Sequence, residues 1–287
     1  MNQFKFIIEQ VVDLGSKYLV RLYNLPRTMT QIQSKHSIVI LDTSTPEKKR
    51  ILKFTPRSHE REWLFWLCGQ ANLSAAAKPE KSIYLNQLLF FTYQAVVPPL
   101  PSSILLKCFS GFVVETAKAL RALHRANIAH LDMRAFNVGF RIVKPKAGEA
   151  ARAARVVLID LDRGSRTPNL EATFLTTCAQ YARPDWPEEV VFSAARCDWR
   201  QWALMLWSLL VPAAEHAIYS EGNVLLGACP FAFLDGIIVR ADVGADEDVL
   251  LKDIASWVNS AEMEQAKLMQ AELNSSDLTT EVRLGWG

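Results

Sequence analysis

Residues 130–138 read His130-Leu131-Asp132-Met133-Arg134-Ala135-Phe136-Asn137-Val138. This stretch follows a segment with a helical apolar period, and it places an aspartate and an asparagine five positions apart. Further along the chain, the apolar run 156–159 ends in Asp160. A base, an amide and a second carboxylate are what metal-dependent phosphoryl transfer uses, because the base takes a hydroxyl proton while the others hold the cation. The stretch therefore predicts a catalytic loop with Asp132 as its base.

The composition is that of a folded protein without a strong charge bias. The chain has 287 residues, 50% of them apolar, and its formal net charge is +2. A chain of this length forms one large or two small domains with a sizeable core. The nearly balanced charge gives no reason to expect nucleic acid as a partner.

The cysteines and the apolar runs indicate the cellular compartment in which the protein is expected. The five cysteines are scattered and form no C-x-x-C pair, which favours free thiols in a reducing compartment. No apolar run reaches the roughly 18 residues of a membrane helix, so we expect no transmembrane segment. Glu9 and Asp13 interrupt the first apolar stretch, which argues against a secretory signal. These patterns predict an intracellular location, cytoplasm or nucleus, and leave the oligomeric state open.

The N-terminal part of the chain predicts a mixture of helix and strand. Residues 4–23 show a helical apolar period, and we expect an amphipathic helix there. Residues 36–54 predict a β-hairpin, and a short helix is expected from Ser58 onward. Residues 83–97 are strand-like, with residues 88–93 as their apolar centre. The proline-rich stretch 98–101 then favours a boundary between two lobes.

The pattern becomes mostly helical beyond that boundary. Residues 104–126 predict a helix whose apolar face includes His124 as a core position. Residues 138–143 and 156–159 predict a second hairpin. Asp198 is expected to begin another strongly apolar helix, where its carboxylate could accept amide hydrogen bonds from a neighbouring loop.

The loop at 130–138 resembles the catalytic loop of the protein-kinase superfamily, since it matches His-x-Asp-x-x-x-x-Asn. Residues 159–162, Ile-Asp-Leu-Asp, stand where the D-F-G motif of that superfamily belongs. Ile51-Leu52-Lys53 resembles the V-A-I-K strand, and Asp198 resembles the aspartate that opens a large C-terminal helix. These anchors occur in the order typical of the family. The chain is most similar to divergent kinase-like proteins of fungi and to Crinkler-type effectors.

The resemblance implies a role for four polar residues of the two motifs. Asp132 would be the catalytic base, and Arg134 would neutralise the transferring phosphoryl group. Asn137 and Asp160 would hold Mg²⁺. Each has an ordinary alternative, because an isolated Asp132 could equally cap a turn.

A further set of residues would bind ATP. Lys53 lies in an apolar strand, so its ammonium either reaches outward or points into a cleft, and the resemblance implies the cleft. Its partner would be a glutamate on the next helix, with Glu60 preferred to Glu62 because it shares a face with apolar side chains. The adenine end would lie near Tyr93 and Gln94.

The fold implied by the resemblance is α+β, with two lobes of a single protein-kinase-like domain. Residues 1–96 would form a small β-rich N-terminal lobe containing the amphipathic helix, a β-sheet and a short helix. Residues 97–287 would form a larger, mostly helical C-terminal lobe with the catalytic loop.

The chain also departs from the family pattern. No glycine occurs between Gly15 and Gly69, so the Gly-rich phosphate loop is missing and nucleotide affinity could be weak. Asp162 replaces the glycine of D-F-G, and Leu131 replaces an arginine.

The favoured activity is ATP- and Mg²⁺-dependent transfer of the γ-phosphoryl group to a hydroxyl, with a protein Ser or Thr as the preferred acceptor. One alternative is a small-molecule kinase of the aminoglycoside or choline type, whose metal motif residues 159–162 resemble. The other is a catalytically weak pseudokinase that acts as a binding module.

Overall fold

The fold is described from a computed structural model of the chain. It covers residues 7–13, 18–23, 29–32, 38–44, 50–55, 58–70, 73, 75–85, 88–94, 109–142, 154–161, 164–166, 194–211, 229–239, 246–266 and 268. The fold is mixed α+β, with antiparallel sheets and helices. The chain divides into two compact units, Met1–Val97 with Ile159–Arg163, and Pro98–Leu158 with Gly164–Gly287. The predicted lobe boundary at residues 96 and 97 lies outside the described residues.

The first unit is built on a five-stranded antiparallel sheet. Its strands are β3 (Met29–Ile32), β4 (Ile38–Asp42), β5 (Arg50–Phe54), β6 (Lys81–Leu85) and β7 (Leu88–Gln94), in the order β3-β4-β5-β7-β6. The β4–β5 pair confirms the hairpin predicted from 36–54. The central position of β5, between β4 and β7, holds Lys53 on a strand that is paired along both edges.

A helix packs against this sheet through aromatic side chains. The helix α1 (Ser58–Cys68) follows β5 directly, as the sequence predicts. Its Phe65 makes an edge-on contact with Phe91 of β7, with ring centroids 5.1 Å apart. Within the sheet, the ring centroids of Phe90 on β7 and Phe54 on β5 are 5.8 Å apart. Burial of Phe90 and Phe91 stabilises the sheet by about 2 kcal/mol for each side chain.

The amphipathic helix predicted at residues 4–23 is wrong. The chain forms two antiparallel strands there, β1 (Ile7–Asp13) and β2 (Tyr18–Tyr23). The register shifts between Ile8 and Val11, so an irregularity in the strand disturbs the alternation of apolar residues that would have indicated a strand. Ile and Val are also stiff at the first side-chain torsion, which favours strand over helix.

The strand-like segment predicted at 83–97 is confirmed in part: its apolar centre lies in β7, whereas residues 83–85 belong to a separate strand, β6. Residues 86–87 and 95–97 lie outside the described residues. These strands pair antiparallel, with Leu85 opposite Leu88. Only Asn86 and Gln87 separate them in the sequence, and asparagine is a common turn residue. Because apolar residues stand on both sides of Asn86 and Gln87, the sequence shows no clear turn signal there.

The second unit is organised around one buried helix. Its described helices include α2 (Phe109–Arg125), α3 (Ala194–Leu210), α4 (Ala232–Val239) and α5 (Glu247–Trp257), and residues 261–266 are also helical. All but one of the 17 residues of α3 are buried, as expected for a helix that is surrounded by its neighbours. Asp198 lies in the second turn of α3, so the prediction that it begins this helix is wrong. The expected helix at 104–126 is confirmed by α2.

Short strands complete the second unit. They are β8 (Ile128–Ala129), β9 (Val138–Ile142), β10 (Ala154–Leu158) and β11 (Ser165–Arg166). The antiparallel pairing of β9 with β10 confirms the predicted second hairpin, and β11 pairs with β8. Among the described residues, no helix combines the length and the apolar character needed to cross a membrane.

Candidate functional site

The loop at 130–137 is fixed by two polar side chains of the buried helix α3. Asp198 accepts hydrogen bonds from the backbone N–H groups of His130 at 2.7 Å and Leu131 at 2.6 Å. One turn further along the same face, Gln201 accepts from the N–H of Met133 at 2.9 Å and donates to the carbonyl of Leu131 at 3.3 Å. The expected role of Asp198 as an acceptor for loop amides is therefore confirmed.

Gln201 is a residue that the sequence analysis missed, although a signal for it exists. Asp198 and Gln201 are three residues apart, so they lie on one face of a helix that is otherwise mostly apolar. Two polar side chains on one face of a buried helix must find partners, because an unsatisfied buried polar group costs about 1–3 kcal/mol.

The backbone at Leu131 adopts a conformation that non-glycine residues rarely occupy. Its φ is 64°, in the left-handed region, which costs about 1–2 kcal/mol for a residue with a Cβ atom. Asp198 and Gln201 hold the backbone on both sides of this residue. Strain that is maintained by surrounding hydrogen bonds is typical of functional loops. Here the strained residue directly precedes Asp132.

Asp132 and Asn137 contact each other directly. The Nδ2 group of Asn137 donates to the backbone carbonyl of Asp132 at 2.7 Å and to its Oδ2 atom at 3.1 Å. The short 3-10 helix Ala135–Asn137 turns the chain so that these two side chains meet. The amide thus fixes the Asp132 carboxylate and keeps its own Oδ1 atom for another partner.

Arg134 extends this group. Its Nε atom lies 2.8 Å from Oδ1 of Asp132, but the geometry is not that of a hydrogen bond, so the contact is an ion pair. Three residues predicted as site residues, Asp132, Arg134 and Asn137, are therefore brought together in the second unit.

Lys53 and Asp160 form a second group, in the first unit. The Nζ atom of Lys53 lies 2.5 Å from Oδ1 of Asp160. Asp160 has a φ of 63°, a conformation that aspartate tolerates better than most residues. The indole N–H of Trp63 donates to the carbonyl of Leu161 at 2.6 Å, which attaches the segment after Asp160 to α1.

Glu60 and Glu62, the two candidate partners of Lys53 on α1, differ in burial. Glu60 is 6% exposed and accepts a hydrogen bond from the hydroxyl of Thr55, whereas Glu62 is exposed. The structure thus favours Glu60 over Glu62 as the inward-facing carboxylate of α1. Tyr93 and Gln94 are the last two residues of β7, where they pair with Ile51 and Arg50 of β5. Their contact with adenine stays a prediction.

A charged cluster behind the loop was not foreseen. His124, expected only as a core residue, is buried between two carboxylates. Its Nε2 lies 2.9 Å from Oδ2 of Asp198 and its Nδ1 contacts Oε1 of Glu247. Burial lowers the pKa of His124, but the hydrogen bonds and charges of Asp198 and Glu247 outweigh that effect and raise it to about 9.

The same cluster joins three helices. Glu247, the first residue of α5, also accepts from the indole N–H of Trp199 on α3 at 2.8 Å. His124 lies on α2, so its imidazolium form connects α2 with α3 and α5. Because Asp198 also accepts from the loop amides, the charge of His124 stabilises the residue that holds the loop.

The described residues contain no group of three or more His, Cys, Asp or Glu side chains arranged to hold a metal ion by themselves. No protein-family model matches the chain. A comparison with curated proteins finds no match either.

Proposed function

We propose that this chain is a divergent protein-kinase-like phosphotransferase with two lobes, which moves the γ-phosphoryl group of ATP to a hydroxyl with the help of Mg²⁺. The observation that supports it most is the contact between Lys53 and Asp160. Sequence reasoning assigns these residues to the nucleotide phosphates and to the cation, and the fold brings them to 2.5 Å across 107 residues of chain. The side chain of Lys53 is only 13% exposed, which supports an ammonium that points inward over one that reaches out to solvent.

The donor atoms suit Mg²⁺, which takes oxygen ligands and commonly uses one or two protein groups together with phosphate oxygens. The side chain of Asp160 is 45% exposed, so its carboxylate is open to a cation. Asn137 uses Nδ2 for Asp132, which leaves its Oδ1 for a metal. The absence of a larger acidic cluster among the described residues agrees with a cation that completes its shell with phosphate oxygens. When bound, Mg²⁺ would neutralise phosphate charge.

The loop residues would orient and deprotonate the acceptor. The Asp132 carboxylate is held by Asn137 on one oxygen and by Arg134 on the other, so its position is fixed before an acceptor arrives. It would accept the proton of the attacking hydroxyl. The Arg134 guanidinium would stabilise the negative charge of the group in transfer.

The test is a phosphotransfer assay on the purified protein and its Asp132→Asn variant. The substitution keeps the shape of the side chain but removes its charge, so we expect the rate to fall by about 10²–10⁴-fold while ATP binding persists. Asp248→Asn serves as a control, because Asp248 forms ion pairs with Arg121 and Arg125 away from the loop. An Asp132→Asn protein with the full rate would refute the proposal.

A second candidate is a nucleotide-binding or protein-binding module without turnover. Two observations favour it: Lys53 and Asp160 already neutralise each other, and no glycine occurs between Gly15 and Gly69 to form a phosphate loop. A thermal-shift measurement with ATP, with and without Mg²⁺, separates the two. Stabilisation by ATP without any phosphotransfer would identify the binding module.

The acceptor class is the finer part of the proposal. We favour a protein Ser or Thr in an intracellular setting, and the small-molecule kinase of the aminoglycoside or choline type is the rival. A panel that contains a mixed Ser/Thr peptide library, amino-alcohols and amino-sugars distinguishes them, because only one acceptor class should accumulate label from γ-labelled ATP.

A further inference from the structure

A cleft opens in the second unit, outside the proposed site. It lies between α4, α5 and the helical residues 261–266, and its volume is about 570 Å³. Pockets that bind small molecules usually measure roughly 300–1,000 Å³. The lining residues that matter for the argument are Phe233, Gly236, Asp253, Trp257 and Glu262.

The cleft follows from the spacing of residues on two helices. Phe233 and Gly236 are three residues apart on α4, and Asp253 and Trp257 are four apart on α5. Residues at such spacings share one face of a helix. One face of each helix therefore borders the same space, and nothing lies within 4 Å of a Cβ atom added at Gly236.

Aromatic rings form one wall of the cleft. The rings of Phe233 and Trp257 stack with centroids 4.9 Å apart and an angle of 19° between their planes. Glu262 fixes both residues: its Oε2 accepts from the indole N–H of Trp257 at 2.8 Å, and its Oε1 accepts from the backbone N–H of Phe233 at 3.5 Å. The aromatic wall and a carboxylate are thus held side by side.

The charges around the cleft are negative. Asp253 and Glu262 are the charged side chains among the described lining residues, and Asp253 is exposed. Nearby, burial raises the pKa of the Cys229 thiol to about 12, and the charges of Asp235 and Glu262 contribute to that increase. A cation would therefore be attracted to this region.

We propose that the cleft binds a small organic cation, a protonated amine carried on an apolar or aromatic body. Aromatic faces attract cations through the ring quadrupole, and a carboxylate beside the ring adds a direct charge partner. The apolar body would lie against Ile237 and Leu250, which also line the cleft. This site is independent of the proposed phosphotransfer, so either can fail without the other.

The test is a binding titration of the full chain with phenethylamine, followed by isothermal calorimetry or ligand-observed NMR. Its neutral analogue 2-phenylethanol and its anionic analogue phenylacetate are the matched probes. We expect saturable binding of the amine, with the neutral and anionic compounds at least about fivefold weaker, as the loss of about 1 kcal/mol of charge interaction implies. Equal affinity for 2-phenylethanol would overturn the assignment to a cation.

Two variants locate the binding. Asp253→Asn removes one charge at an exposed position without disturbing packing, and we expect about fivefold weaker amine binding. Gly236→Leu fills the cleft; an added Cβ at Gly236 meets nothing within 4 Å, so the helix tolerates it. Amine binding should then be lost. Gly111→Leu is the control, because Gly111 of α2 also has nothing within 4 Å of an added Cβ and its variant should bind normally.

Three further results would overturn the proposal. The first is amine binding that both Asp253→Asn and Gly236→Leu leave unchanged. The second is no saturable binding of phenethylamine up to about 10 mM. The third is binding of a capped Gly-Lys-Gly peptide without binding of the free amine, which would replace the small molecule with a protein segment.

Discussion

The Nζ atom of Lys53 lies 2.5 Å from the Oδ1 atom of Asp160, although 107 residues separate them in the chain. Lys53 comes from the middle of a sheet, on a strand paired along both edges. Asp160 comes just after β10, in a left-handed backbone conformation that a second hydrogen bond, from Trp63 to Leu161, helps to fix. The pair therefore belongs to the architecture of the first unit and to the proposed nucleotide site at once.

Lys53→Met tests the role of this pair in nucleotide binding. Methionine keeps the apolar character and most of the length of the lysine side chain but removes its charge, so we expect ATP with Mg²⁺ to bind at least about tenfold more weakly. Lys118→Met is the matched control, because Lys118 forms an exposed ion pair with Glu115 at 2.9 Å. A thermal-shift titration measures both, and equal ATP affinity in the two variants would remove Lys53 from the proposed site.

Asp198→Ala tests the support of the loop. Asp198 is fully buried and accepts from two backbone amides as well as from His124. Removing such a buried charged partner costs about 3–5 kcal/mol, and we expect that loss in the free energy of unfolding measured by urea denaturation. Hydrogen exchange at the Leu131 amide should accelerate more than exchange in α2.

The control for this loss is an aspartate in exposed ion pairs. Asp248→Ala removes the pairs with Arg121 and Arg125, where more than half of the Asp248 side chain is exposed. We expect it to cost under about 1 kcal/mol. If the two variants are equally stable, the network around Asp198 does not support the loop.

His124 predicts a pH dependence of stability. Its pKa is raised from 6.5 to about 9 in the folded chain, so the folded state binds more protons than the unfolded state between these values. Stability from this group is fully present below about pH 6.5 and is lost as the pH rises through about 9, by up to about 3 kcal/mol. Urea denaturation at several pH values between 6 and 9.5, as a rough range for this window, measures the slope.

The His124→Gln variant isolates that effect. It should be less stable than the natural chain at about pH 6.5, and its stability should change less across the window because the imidazole that titrates is gone. The thiols of Cys68 and Cys229 have pKa values raised by burial from 9.0, so they act above this window. A slope that stays the same in His124→Gln would assign the pH dependence to other groups.

Substitutions at Asn127 test the left-handed backbone conformation that ends α2. Its φ is 56°, and its N–H donates to the carbonyl of His124 at 2.8 Å, which is the pattern of a left-handed helix cap. Asn127→Gly should leave the free energy of unfolding unchanged or raise it by up to about 1 kcal/mol. Asn127→Val should lower it by about 1–2 kcal/mol, because a β-branched residue is strained at this φ. Equal stability of the two variants would contradict this backbone conformation.

The elements that the sequence predicts well are those with local signals. The helix α2 has an apolar face at helical spacing, and the β4–β5 and β9–β10 hairpins have apolar runs separated by polar residues. In the loop, Asp132 and Asn137 are five residues apart, and the structure joins them by a hydrogen bond. Each of these features depends on residues close in the chain.

The segments that the sequence predicts wrongly are those whose structure depends on the part of the protein against which they pack. Residues 4–23 can place the same apolar side chains on a helix face or on paired strands, and the pairing of Ile8 with Leu22 is what selects strands. Asp198 precedes the apolar run and so resembles a helix start, but α3 begins at Ala194. Burial of Arg196 and Cys197 in the first turn cannot be read from their residue types.

The order of residues along the chain places Asp132 and Asn137 in one loop, because only a few residues separate them, and the structure joins their side chains. Packing decides the rest. Lys53 meets Asp160, and Glu247 meets His124, across more than a hundred residues in each case. Such contacts are set by how sheets and helices bury their apolar faces against one another, and nothing in the local spacing of either partner specifies the other.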